Sequence, residues 1–97
     1  MNVIELCTVV QRNESRFVAT ELGDEMVMMD IEGGNYIHLN KTARVIWNYI
    51  HEPVKVEEVV KRLMDTFDVK EELCRVEVKE CLFGMEKQQL LLFREIG

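Results

Sequence analysis

The chain has 97 residues and a formal net charge of −6, from 18 acidic and 12 basic side chains. That length supports one hydrophobic core with little room for a deep substrate cavity, so residues 1–97 read as a single domain. The acidic balance disfavours a phosphate backbone, whose binding needs clustered Lys and Arg, and no stretch approaches the roughly 18 apolar residues of a membrane span; neither nucleic acid nor membrane is an expected partner.

The N-terminal lead, residues 1–16, opens Met1-Asn2-Val3-Ile4-Glu5-Leu6-Cys7, without the basic n-region and long apolar run of a signal peptide. The protein is therefore expected in the cytoplasm. Within the apolar stretch Val3 to Val10, Thr8 to Val10 is a short strand candidate, and the polar run Gln11-Arg12-Asn13-Glu14-Ser15-Arg16 reads as a loop.

Strands are expected through residues 17–39. Phe17 to Leu22 is rich in strand formers, Gly23-Asp24 signals a turn, and Met26 to Ile31 is a second strand with Val27, Met29 and Ile31 on one side. Gly33-Gly34 supplies another turn, where a hairpin needs positive φ. A third strand follows at Asn35 to Leu39, alternating Tyr36/His38 with Ile37/Leu39. The simplest arrangement is an antiparallel meander whose third strand lies at an edge, where unpaired backbone groups are open to a partner strand.

Helices and a tail fill residues 40–97. Asn40 suits the cap of a first helix, in which Ala43, Ile46, Trp47 and Ile50 stand at i, i+3, i+4 and i+7, with Trp47 as core anchor. Pro53 ends it. Val56, Val59, Val60, Leu63, Met64 and Phe67 keep helical spacing in a second helix, where Glu57–Lys61 and Glu58–Arg62 are favourable i,i+4 pairs. Asp68 with Glu71 resembles a capping arrangement for a third helix, expected from Val69 or Lys70 to Gln88.

On that third helix, Cys74, Val78, Cys81, Leu82 and Met85 share the face assigned to the core. Val76 and Phe83 lie opposite, with Leu73 at the margin. Such a second apolar face suits either scattered exposed side chains or a groove and partner contact. Gly84, costing about 1 kcal/mol against Ala inside a helix, is a candidate for close approach of another backbone. The run Leu90-Leu91-Leu92-Phe93 reads as a short strand, a packed tail or a homodimer contact.

Catalytic and metal chemistry are not expected. Cys7, Cys74 and Cys81 lack paired C-x-x-C spacing, and only two histidines exist to complete the about four well-placed ligands a zinc site needs, so the cysteines read as small side chains in a reducing compartment. No G-x-G-x-x-G, Walker loop, G-x-S-x-G or H-E-x-x-H occurs. His38 and His51 read as structural or surface residues, and Glu57-Glu58 and Glu71-Glu72 complement helix dipoles rather than serve as acid/base pairs. No metal, cofactor or enzymatic activity is expected.

Met28-Met29-Asp30 before Gly33-Gly34-Asn35-Tyr36, followed by Leu39-Asn40-Lys41-Thr42-Ala43-Arg44-Val45-Ile46-Trp47, resembles the PqqD family. The resemblance continues through Val56-Glu57-Glu58-Val59-Val60, Leu63 to Phe67, Val78 to Leu82 and Met85 to Leu91, and covers residues 8 to 94. It implies an α+β, winged-helix-like fold, with a three-stranded antiparallel sheet followed by three helices. It also implies a RiPP recognition element: an adaptor, or peptide chaperone, that binds the leader of a ribosomally made precursor peptide in natural product biosynthesis. The leader is presented to a modifying enzyme such as a radical SAM protein, or to a leader peptidase.

In such domains the leader adds a strand to the third strand and lies between it and the third helix. Carried onto this chain, the resemblance implies backbone bonding by Asn35, Tyr36, Ile37 and His38. Its helix-side candidates are Arg75, Val76, Lys79 and Phe83, with Arg75 pairing a leader carboxylate. The chain departs from common family usage at Lys55, where a hydroxyl residue often caps the second helix, and at Cys81, where a larger apolar residue is frequent. The competing readings are a winged-helix DNA-binding regulator and a non-catalytic dimerisation or interaction module. The acidic charge speaks against the first of these.

Overall fold

The computed structural model describes residues 4–94; residues 1–3 of the lead and 95–97 of the tail lie outside the described residues. In chain order the elements are β1 (Val9–Arg12), β2 (Phe17–Leu22), β3 (Glu25–Asp30), β4 (Tyr36–Leu39), α1 (Lys41–Tyr49), β5 (Val54–Lys55), α2 (Val56–Thr66), α3 (Glu71–Lys87) and β6 (Leu91–Arg94).

The expected meander is present as β2-β3-β4, antiparallel throughout, with Val18, Met29 and Tyr36 aligned in one row across it. Because side chains alternate along a strand, one sheet face takes Met26, Met28, Ile37 and Leu39 into the core. The other leaves Val18, Met29 and Tyr36 exposed. Val27, Met29 and Ile31 therefore lie on the solvent side: Val27 is half-buried, and Ile31 is exposed just past the strand end. Gly23 takes the positive φ of +64° that a tight β2–β3 hairpin requires at its first central position.

A second sheet, ordered β5-β1-β6, was not anticipated. The strand expected near Thr8 to Val10 runs on into the polar segment, because Gln11 and Arg12 pair with Leu92 and Leu91. Their side chains also find partners there: Gln11 Nε2 donates to the carbonyl of His51 at 3.2 Å, and Arg12 Nη1 to that of Trp47 at 3.3 Å. Of the readings of the Leu90–Phe93 run, the short strand is the one that forms, as β6, with Leu90 and Leu91 buried and Leu92 and Phe93 half-buried.

The helices follow their apolar stripes. Ile46, Trp47 and Ile50, with Val56, Val59, Val60 and Leu63, meet Cys74, Val78, Leu82 and Met85 in one continuous core beneath the β2-β3-β4 sheet. Each such side chain contributes about 1.5–3 kcal/mol of burial before conformational entropy is charged against it. Asn40 caps α1, its Oδ1 accepting from the Ala43 amide at 2.9 Å.

The capping arrangement expected at Asp68 does not form. Lys70 is the N-cap residue of α3 and makes no side-chain cap bond, since the helix starts at Glu71, beyond the reach of Asp68. Glu71 and Glu72 complement the dipole in its first turn. At the other end, Leu90 N–H bonds the Met85 carbonyl at 2.9 Å and Gln89 N–H that of Glu86 at 3.0 Å, a Schellman closure with Gln89 left-handed at φ 64°. Among the described residues no helix is long and apolar enough to cross a membrane.

Candidate functional site

The turn before β4 is built around Asp30, a buried carboxylate in a sheet otherwise filled with Met and Ile. Its Oδ1 accepts the amides of Glu32 and Gly33, both at 3.1 Å, and its carbonyl accepts the Gly34 amide at 2.8 Å. The bonded Arg16 guanidinium, and then the Gly33 and Glu32 amides, hold the Asp30 carboxyl below the usual carboxylate range. The two glycines serve different ends. Gly34 supplies the positive φ, +71°, whereas at Gly33 an added Cβ would sit 2.7 Å from Asp30 Oδ2.

The same residue sets the phase of β4. Its amide donates to the Asn35 carbonyl at 2.8 Å. In an antiparallel pair every second residue turns both main-chain groups to the same neighbour. Asn35, Ile37 and Leu39 are thereby committed to β3, and Tyr36 and His38 turn N–H and C=O away from it. Among the described residues no strand pairs on that outer side of β4. Of the four backbone positions expected to bind a peptide, Tyr36 and His38 are open.

The outer edge faces α3 across a groove. A cavity of about 490 Å³ is bounded on one side by Ile37, His38, Leu39 and Asn40, with Thr42 and Ala43 from the start of α1. Its helix wall is a single stripe at three- and four-residue spacing, Glu77, Glu80, Cys81, Gly84 and Gln88, with Met85 and Leu90 behind. A second cavity of about 500 Å³ adjoins it at Ile37 and Gln88 and extends along β4 to Asn35, Arg16 and Lys87. Cys81 and Gly84 open the space: an added Cβ at Gly84 meets nothing within 4 Å. Within the described chain no backbone approaches that glycine closely.

Arg75, Val76, Lys79 and Phe83 lie outside the lining of both cavities. Val76, Lys79 and Phe83 each precede a groove residue by one position, which turns them about 100° away on the helix. Phe83 is 43% exposed beneath the Lys87 ammonium, 4.5 Å from its ring centroid, and Arg75 is paired with Glu71 at 2.8 Å. Apolar character opposite the core drew attention to that stripe, whereas the groove follows the margin of the core face. The signal for it was the small pair Cys81 and Gly84. Asp30 stood in the motif that carried the resemblance, but nothing in its local pattern marked it as buried.

Burial pushes the Cys81 thiol up to about 11, leaving it protonated and a poor nucleophile at neutral pH. His38 Nε2 lies 3.0 Å from Glu25 Oε1. No group of three or more metal-ligating side chains is clustered among the described residues.

Two solved structures share this architecture. TbiB1, in complex with the TbiA(beta) leader peptide, superposes with a TM-score of 0.76 at 20% identity over 89% of this chain and 99% of that one. Lasso peptide synthetase B1, complexed with the leader peptide, gives 0.74 at 17% identity over 86% and 96%. At these identities the likeness is one of fold. No curated protein matches the chain. The family described as Coenzyme PQQ synthesis protein D (PqqD) matches residues 25–91. That span runs from β3 through β4 and all three helices to the start of β6 and exceeds half the sequence, so the chain belongs to the PqqD family.

Proposed function

We propose that the protein is a leader-peptide-binding adaptor, which takes an extended segment of a ribosomally made precursor as an added strand on β4 and presents it to a modifying enzyme. The observation that carries this reading is the outer edge of β4, unpaired among the described residues and facing the Glu77–Gln88 stripe of α3 across an open groove. Strand addition gives affinity through main-chain bonds, here to Tyr36 and His38, and leaves selection to side chains in the groove. Membership of the PqqD family and the leader peptides held by two proteins of the same fold support it.

On this reading residues 1–97 act as one non-catalytic domain in the cytoplasm, and its partner enzyme is a radical SAM protein or a leader peptidase. The test is a titration of the 15N-labelled protein with the leader segment of a precursor peptide encoded beside it. Amide shifts should concentrate in Tyr36 to Leu39 and Glu77 to Gln88, and His38→Pro, which deletes one outward N–H without touching a β3 bond, should weaken binding. Shifts confined to other elements would overturn the groove.

A further inference from the structure

We infer that the groove selects a peptide carrying a basic and an acidic side chain four positions apart, the basic one seated against Glu77 and Glu80. This rests on the strand-addition reading above and concerns which sequence the same site accepts.

The charge in the groove is sorted by end. Near Asn40 and Thr42 the helix wall presents Glu77 and Glu80, both exposed and neither in an ion pair among the described residues. Some acids elsewhere are answered within the chain, as Glu21 is by Arg44 and Glu58 by Arg62, and what sets Glu77 and Glu80 apart is their place in the groove lining. Near Asn35 the cavity holds two cations. Arg16 is engaged by Asp30 and Glu32, whereas Lys87 is exposed, lies over the Phe83 ring and is in no ion pair among the described residues, so its flexible stem can swing the ammonium to a carboxylate in the cavity it lines. A strand laid along β4 therefore passes from a carboxylate pair to an ammonium.

The spacing follows from two rises. At about 1.5 Å per residue, Lys87 stands roughly 10 Å from Glu80 and 15 Å from Glu77 along the helix axis. An extended chain covers that span in about three to five residues. Side chains of one strand face the same way only at even separations, so four is the separation that turns both charges toward α3. Cys81 and Gly84 leave room beside Glu77 and Glu80 for the aliphatic stem of a Lys or Arg, whose head then reaches the carboxylates. Exposed pairs of this kind change affinity by roughly two- to fivefold each and weaken as salt rises.

The experiment is selection of a random-peptide phage library on the wild-type protein, on His38→Pro, and on Glu77→Gln/Glu80→Gln. Expected are peptides lost on His38→Pro that carry Lys or Arg four positions from Asp or Glu, with the basic position no longer enriched on the double Gln variant. The order of the two charges then reports the direction of the added strand. Peptides sensitive to His38→Pro but without an enriched basic position would overturn the charge rule and leave strand addition standing. No enrichment, or enrichment indifferent to His38→Pro with its fold intact by circular dichroism, would overturn strand addition and the charge rule with it.

Discussion

Arg16 grips Asp30 through two parallel hydrogen bonds, Nε to Oδ1 at 3.0 Å and Nη2 to Oδ2 at 2.6 Å, while its Nη1 donates to Gln89 Oε1 at 2.6 Å. One guanidinium thereby joins the approach to β2, the end of β3 and the residue that closes α3. Since β4 leaves from the Asp30 turn and the groove wall ends at Gln88, this contact fixes the two sides of the groove relative to each other.

The clamp makes stability depend on pH with a definite sign. Asp30 titrates lower in the folded chain than in the unfolded one, so its contribution is complete above the unfolded value of about 3.9 and is lost as pH falls from there through the lowered folded value. Thermal unfolding of Asp30→Asn should start from a lower midpoint than wild type and fall less steeply on acidification. Parallel acid limbs would remove Asp30 from the account.

The two turn glycines should both resist alanine, for separate reasons. Gly33→Ala drives a methyl to 2.7 Å from a carboxylate oxygen that Arg16 holds in place, a crowding cost of about 1–3 kcal/mol. Gly34→Ala places a Cβ at φ +71°, costing about 1–2 kcal/mol. Urea denaturation should show both as lower midpoints with an unchanged slope. A normal midpoint for Gly33→Ala would mean that the clamp yields.

Gly84 should behave in the opposite way. An alanine there meets nothing within 4 Å and gains helix propensity, so Gly84→Ala should stabilise by about 0.5–1 kcal/mol. Gly84→Trp should keep the helix but fill the cavity, lowering leader-peptide affinity about tenfold or more, a loss of at least about 1.4 kcal/mol. Phe83→Glu, one position around the helix, should change that affinity less. The reverse ranking by fluorescence anisotropy would move the contact to the Phe83 stripe.

Trp47 is 3% exposed in the core, with the Arg12 guanidinium 5.3 Å from its ring centroid. Trp47→Ala should cost about 3–5 kcal/mol. Phe83→Glu should stay within about 0.5 kcal/mol of wild type, as befits an exposed side chain. Chemical denaturation measures both, and unfolding by Phe83→Glu would show that the ring is needed for packing.

The sequence made the meander, the Asn40 cap and the three helices legible because each rests on local periodicity and on one side chain meeting its own backbone. The β5-β1-β6 sheet was hidden because Val9 meets Arg94 and Lys55, pairings that join distant parts of the chain and leave only four- and two-residue traces. The open edge of β4 could be foreseen from strand order, but not which of its residues face outward, since that phase is set by the Asp30 amide and the Asn35 carbonyl. On α3 the core face was clear from Cys74, Val78, Leu82 and Met85. The groove stripe was not, because Glu77 and Glu80 look like any solvated helix surface until β4 is placed opposite them.

A peptide docked on β4 can make at most four main-chain hydrogen bonds, two at Tyr36 and two at His38. At about 0.5–1.5 kcal/mol each, these contribute about 2–6 kcal/mol, close to the roughly 2–5 kcal/mol spent in ordering a disordered segment. With so little surplus in the backbone, dissociation is fast unless side chains or a second protein slow it. On the strand-addition reading, an edge this short therefore favours brief residence and frequent turnover of whatever peptide it holds.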